Sequence, residues 1–280
     1  MGNEMSMNQS LQRLRTLPAM PRIAQQILAL KIASEEGEQA LLDLIKQDPA
    51  ISAKVVGLAN SPVFGASRKI SSVNDAAARL GIKKIKMVAL SSAMMSSMVR
   101  TPHGLLDANS LWKHSLAIIL TMQTLFQHMP AHLRPAEDEV FLTGLLHDIG
   151  FLVLDVIEPE LSDSFHAMLA AKPDKMVEEI EADMLELNHA ELGAELAKHW
   201  GLPDSIVDAL RDHHQAPGPH APLANIVGLA EKLLPTFREP DQTSPITQEE
   251  WSAIGIEPDV QLQVIEKARQ HQADAAAGFS

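Results

Sequence analysis

Seven side chains in the second half of the sequence could together hold divalent metal ions. In chain order they are His114, the pair His147-Asp148, His189, the pair His213-His214, and Glu231. Neutral imidazole and carboxylate are the groups that ions such as Zn, Mn and Fe(II) take from proteins. His147-Asp148 lies in the apolar run Gly144-Leu-Leu-His-Asp-Ile-Gly150, which withdraws both side chains from bulk water. A carboxylate placed there is costly unless it is paired or coordinates a metal. Each residue also has an ordinary reading. His114 fits a core-edge histidine bonded to a carbonyl, and His189 an N-cap. His213-His214 fit cations at a helix C-terminus, and Glu231 a solvent-facing residue. Their order is the stronger signal, because each falls within or at the end of a helix, as in metal sites built between bundle helices.

Bound ions would polarise a phosphoryl oxygen and bring the pKa of bound water near neutrality, so that hydroxide attacks phosphorus in line. In a catalytic reading His and Asp side chains, Asp148 among them, hold the ions, and a nearby acid or His handles protons. Lys113, beside His114, and Arg211, just before the histidine pair, are then the candidate cations for the phosphate. Both also fit solvated surface charges.

The elements that must position these groups are helical throughout. Apolar residues recur with a helical period and no segment alternates as a strand does, so the chain is expected to be all-α, a multi-helical bundle with an N-terminal helical subdomain. Asp48-Pro49 supplies an N-cap and a first-turn proline. Ser72-Val-Asn-Asp75 has capping-box spacing. Long apolar helices are predicted over 111–127 and 137–157. Further helices follow at 174–187, 190–199, 204–214 and 223–234, with a non-helical break at the Pro/Gly-rich stretch 216–222. Thr101-Pro-His-Gly104 reads as a linker. The expected divisions are an N-terminal helical subdomain over 1–108, the bundle with the metal site over 109–240, and a helical extension over 241–280. The extension opens with the capping box Thr247-x-x-Glu250, starts its last helix at Pro258-Asp259, and is expected to fray from Ala273.

Composition narrows the function classes. The 280 residues include no cysteine, which excludes disulfides, a thiol nucleophile and Cys-ligated metal. Net charge is −13, which argues against general phosphate-backbone binding. The charge is divided unevenly. Residues 1–108 carry 13 basic and 8 acidic side chains, a net +5; the rest carry 10 and 28, a net −18, with eleven of the twelve histidines. Within the front, Arg68, Lys69, Arg79, Lys83, Lys84 and Lys86 cluster. They fit a solvated helix face better than a nucleic-acid contact. No secretory signal is visible, and the uncharged stretch Met87–Val99 is too short and serine-rich to span a bilayer. Its methionines fit core packing. A cytoplasmic location without membrane contact is expected.

The ordered histidines and aspartate resemble the HD superfamily of metal-dependent phosphohydrolases, and more closely its divergent HDOD branch, found in bacterial signalling proteins. The front carries Leu17-Pro-Ala-Met-Pro21, Gln47-Asp-Pro-Ala50, Leu58-Ala-Asn-Ser-Pro62 and Ala78-Arg-Leu-Gly81. The back carries Trp112-Lys-His114, the His147-Asp148 run, His189-Ala-Glu-Leu-Gly193 and Trp200-Gly-Leu-Pro203 with His213-His214. The resemblance covers about residues 14 to 235. The resemblance implies a signalling or regulatory protein. It also implies that His114, His147, Asp148, His189, His213 and His214 match the ligands of the related HD-GYP phosphodiesterases, with Glu231 where those enzymes have a final Asp. One or two ions of Fe, Mn, Zn, Ni or Mg are expected. Two departures weigh against cyclic dinucleotide hydrolysis: Phe151 stands where those enzymes carry Lys, and no GYP motif follows His214. The expected partner is a signalling protein or a small phosphorylated ligand. A second reading is an active phosphohydrolase on a nucleotide or other phosphate ester. A third is a nucleic-acid-binding regulator using residues 68–86.

Overall fold

Asp48 closes the start of its helix as its sequence suggests: the carboxylate accepts from the backbone N–H of Ala50 and of Ile51, and Pro49 occupies the first turn. Local signals of this kind recur along the chain. The computed structural model describes residues 16–61, 69–96, 98, 108–236 and 245–277. Among them are fifteen α-helices and no strand, so the chain is all-α.

Five helices form the front: α1 (Arg22–Ala29), α2 (Glu35–Lys46), α3 (Pro49–Asn60), α4 (Val73–Leu80) and α5 (Ile82–Ser96). Side chains fix them to one another through main-chain groups. Asn60 at the end of α3 donates to the carbonyl of Ile70 and accepts from its N–H, at 2.7 and 2.8 Å. Arg79 donates to the carbonyl of Ala59, and Lys86 to that of Leu30 at 2.7 Å. Cations at the last carbonyls of a helix offset its negative end. Two side chains of the basic cluster thus hold helix ends; Arg68 lies outside the described residues. Met94, Met95 and Met98 are buried in the core.

The back begins with α6 (Ala108–His128), followed by α7 (Glu137–Leu146), α8 (Ile149–Ile157), α9 (Pro159–Ala171), α10 (Val177–Met184), α11 (His189–His199), α12 (Asp204–Asp212) and α13 (Pro222–Leu233). A short α14 (Gln248–Ala253) and a long α15 (Pro258–Ala277) complete it. α15 packs along α6, and α13 packs on α6, α7 and α12. Buried residues from Leu17 to Ala275 form one core. Front and back meet where α5 packs on α7 and where Trp200 donates its indole N–H to the carbonyl of Pro18 at 2.9 Å.

Four expectations change. The single helix over 137–157 is two helices, bent by 42° at His147-Asp148. The stretches on both sides of His147-Asp148 are equally apolar, so periodicity does not reveal the break. The helix expected over 174–187 occupies only 177–184, and an additional helix, α9, fills 159–171 behind Pro159. The last helix continues to Ala277 rather than fraying from Ala273, because Ala275 is buried. The predicted linker at 101–104 lies outside the described residues. No single helix among the described residues is long and apolar enough to cross a membrane. The bent pair α7–α8 is jointly apolar, but almost all of residues 140–154 face the core.

Candidate metal centre

The break between α7 and α8 aims two consecutive side chains at the same place. His147 ends α7 in helical geometry, and Asp148 follows at φ −99° and ψ 11°. His147 Nδ1 donates to the Gly144 carbonyl one turn back at 3.0 Å. A carbonyl only accepts, so Nδ1 carries the proton and Nε2 points inward. His213, at the end of α12, is set in the same way by the Leu210 carbonyl at 2.7 Å. His189 is the first residue of α11. The cap is Asn188, whose side chain and that of Glu191 complete a capping box.

Two glycines make this convergence possible. A Cβ on Gly150 would lie 1.8 Å from the His189 carbonyl oxygen, and one on Gly228 would lie 2.2 Å from that of His213. Helices α8 and α11 thus meet backbone to backbone, as do α13 and the end of α12. Only glycine permits either approach.

All seven candidate ligands come together, in two adjoining groups. In the first, His147 Nε2 lies 3.2 Å from His114 Nε2, 3.2 Å from Asp148 Oδ2 and 3.0 Å from Glu231 Oε2. In the second, His189 Nε2 lies 3.4 Å from His213 Nε2 and 3.0 Å from His214 Nε2. Ligand atoms within each group are all within 4.8 Å of one another. Asp148 joins the groups: Oδ2 faces His147 while Oδ1 lies 3.5 Å from His189 Nε2. His147, Asp148, His189 and His213 are buried, and His214 sits at the mouth with its side chain 24% exposed.

Nitrogen lone pairs and carboxylates crowded this closely need positive charge between them, and protons supply it in the metal-free chain. Burial works against a charged His147, but Asp148 and Glu231 outweigh it and lift its pKa to about 10. Burial works against charge on Asp148 too, yet His147 holds its pKa below the usual carboxylate range. Glu231 is likewise held well below its ordinary value, by His114 and His147 against burial. His213 goes the other way: burial and the neighbouring His214 and His189 depress it well below the usual histidine value. Such a set, imidazole nitrogen with carboxylate oxygen converging within a few ångströms, fits divalent metal.

Several contributors to the centre are not among the candidate ligands read from the sequence. Glu181 on α10 is buried and accepts from both Nδ1 and the backbone N–H of His189. One acid in an acidic stretch could not be singled out. Thr236 places its hydroxyl 2.8 Å from His114 Nε2 and donates to Asp148 Oδ2. Phe151 stacks on the His189 ring at 4.2 Å between centroids. A cavity of about 480 Å³ opens over the site, lined by Asp148, Phe151, His189, His214, Glu231 and Lys232 among others. Lys113 is half-buried and does not line it. Arg211 does not line it either; it pairs with Asp208 at 2.8 Å.

Comparison with known proteins fits this architecture. The chain spans less than half the length of a curated relative it matches, an uncharacterized protein of Treponema pallidum (strain Nichols): 26% identity over 242 residues, 82% of this chain and 44% of that protein. A crystal structure from Marinobacter aquaeolei VT8, provisionally named a signal transduction protein, superposes with a TM-score of 0.77. It is 26% identical and covers 98% of this chain, which spans 65% of its length. A Shewanella amazonensis SB2B structure, provisionally named a metal-dependent phosphohydrolase, shares the fold at a TM-score of 0.63 and 18% identity, over 98% of this chain and 100% of that one. The HDOD domain family matches residues 17–216, a span holding six of the seven clustered ligands. The chain belongs to the HDOD domain family.

Proposed function

We propose that this chain is a signalling or regulatory protein whose HD-type centre would hold two divalent ions, with Asp148 placed between the two ligand groups. One observation carries the reading: the two Asp148 oxygens face different ligand groups, Oδ2 lying 3.6 and 3.2 Å from Nε2 of His114 and His147, and Oδ1 3.5 Å from Nε2 of His189. Five imidazoles favour Zn, Mn, Fe or Ni over Mg, which takes oxygen ligands. The relatives' names in signal transduction and in metal-dependent phosphohydrolysis support the assignment.

The residues' roles follow from their surroundings. His147 and His213 present Nε2 because backbone carbonyls hold Nδ1, and Glu181 does the same for His189. Such partners fix ring orientation and raise ligand basicity. Phe151, stacked on His189, keeps water from one side of the centre. Bound ions supply Lewis acidity and an activated water. Among its described residues the wall offers one Lys or Arg, Lys232, beside several acids; the role we assign the centre is to recognise a small phosphorylated ligand or to order a surface for a signalling partner. Hydrolysis of a phosphate ester is the second reading, favoured by the convergence of ligands beside an open cavity.

Metal content decides it. Elemental analysis of the purified chain is expected to give two divalent ions per chain after loading, one set lost in His147→Ala and both in Asp148→Ala. A chain that takes up no Zn, Mn, Fe or Ni overturns the proposal. Turnover of a phosphodiester or nucleotide panel that vanishes in Asp148→Ala would promote the second reading.

A further inference from the structure

The cavity over the centre is lined by four carboxylates, Asp148, Glu178, Glu231 and Glu250, but among its described lining residues by one Lys or Arg, Lys232. Its remaining wall is largely apolar, with Phe151, Val177 and Leu229. An anionic ligand entering such a space must find its positive charge at the metals and at Lys232. Lys232 follows the clustered Glu231 directly on α13, and both face the cavity.

Lys232 is engaged, and by a residue outside the HDOD-matched span. Its ammonium is paired with Glu250 Oε1 on α14. The other oxygen, Oε2, accepts from the backbone N–H and the hydroxyl of Thr247, at 2.7 and 3.0 Å, which closes the capping box of α14. Thr247 and Glu250 themselves line the cavity. Glu250 stays ionised: burial opposes its charge, but Lys232 and Thr247 bring its pKa below the ordinary value. The pair therefore ties the wall of the cavity to the C-terminal extension, at the position where an entering anion would need the cation.

We propose that Lys232 is the anion-recognition residue of the cavity, and that Glu250 holds it in the ligand-free protein, so that a phosphomonoester-type dianion binds by displacing Glu250 from Lys232. The proposal rests on the metal-centre reading, since the metals supply the rest of the attraction. A phosphoryl group carries more charge than a carboxylate and offers three acceptor oxygens, so it competes well for one ammonium. Displacement also removes a tie on α14 and so reports occupancy to the extension, whose α15 lies along the His114 helix.

The test uses the full metal-loaded chain, with metal content measured for each variant before inorganic phosphate is titrated calorimetrically. Lys232→Gln is expected to weaken phosphate binding about tenfold, the loss of one charge-assisted contact. Glu250→Gln is expected to tighten it several-fold, because glutamine still serves the capping box but no longer holds the ammonium as an ion pair. Amide exchange over residues 247–256 should speed up on phosphate addition in the wild type and not in Lys232→Gln. Wild-type protein that binds metal but no phosphate, or equal phosphate affinity in all three loaded proteins, overturns the proposal. A chain that takes up no metal instead removes the centre itself, and elemental analysis tells the two failures apart.

Discussion

Glu181 grips His189 at two atoms: its Oε1 accepts from the backbone N–H and from Nδ1, each at 2.8 Å. The carboxylate is buried with the imidazole, so ring orientation and helix start are fixed by one group. Glu181→Gln is expected to weaken metal binding at the His189–His213–His214 group by about 10- to 100-fold, the usual effect of losing such a partner. The His114–His147–Glu231 group should be far less affected. Chelator competition with stepwise metal readout checks it; equal loss at both groups would show that Glu181 acts on the fold instead.

Metal uptake should expel protons. In the metal-free chain His147 is protonated up to about pH 10, and an imidazole must lose that proton to ligate a metal. Affinity is therefore expected to rise with pH between about 6.5 and 10, by about tenfold per unit for each proton displaced. Calorimetry in buffers of different ionisation enthalpy measures the released protons directly. Affinity independent of pH over this range would contradict the assignment.

The same group sets the alkaline stability of the metal-free chain. The folded pKa of His147 is raised above its unfolded value, so its contribution is complete below about pH 6.5 and is lost as pH rises through about 10. His213 acts at the other end. Its folded pKa is depressed, so stability falls as pH drops below the ordinary histidine range. Thermal melts of metal-free protein at pH 5, 7.5 and 10 should show a maximum near the middle value, and metal should flatten the alkaline fall.

Gly150→Ala is expected to destabilise the fold by about 3 kcal/mol or more, because the new Cβ would meet the His189 carbonyl oxygen at 1.8 Å, backbone against backbone. Gly218→Ala is the control; its Cβ meets only the Ala221 methyl at 3.8 Å. Urea denaturation of both separates steric cost from the general effect of adding a methyl group.

Trp200→Phe removes the indole N–H that reaches Pro18. A loss of about 1 kcal/mol is expected, with metal content unchanged, since Trp200 lies outside both ligand groups. A variant that loses metal would mean that the front helps to shape the centre.

Much of the fold is written locally. Ser34, Asp48, Ser72 and Thr247 each cap the helix that follows, through side-chain bonds visible as short sequence patterns. The bend at His147-Asp148 is not written that way. The flanks of the bend, Val140–Leu146 and Ile149–Leu154, read alike as apolar, and the bend is accompanied by a close approach of Gly150 to the His189 carbonyl, distant in sequence. The same holds for the site. The ligands announce themselves by type and order, whereas Glu181, Thr236, Lys232 and Glu250 look like any polar residue until the helices are packed. Lys113 and Arg211 drew notice by sequence adjacency to ligands, but adjacent residues on a helix point in different directions, and neither reaches the cavity wall.

The HDOD match ends at residue 216, before the chain delivers Glu231, Lys232, Thr236 and Glu250 to the cavity. Six candidate ligands thus lie within the family-matched span, while the seventh and half of the polar wall arrive on a separate stretch of chain. Grafting a different closing segment onto the same 17–216 block would change what the pocket admits while leaving those six ligands in place. Six of the side chains that could gather metal and the one lysine of the described cavity wall are thus carried by different stretches of chain.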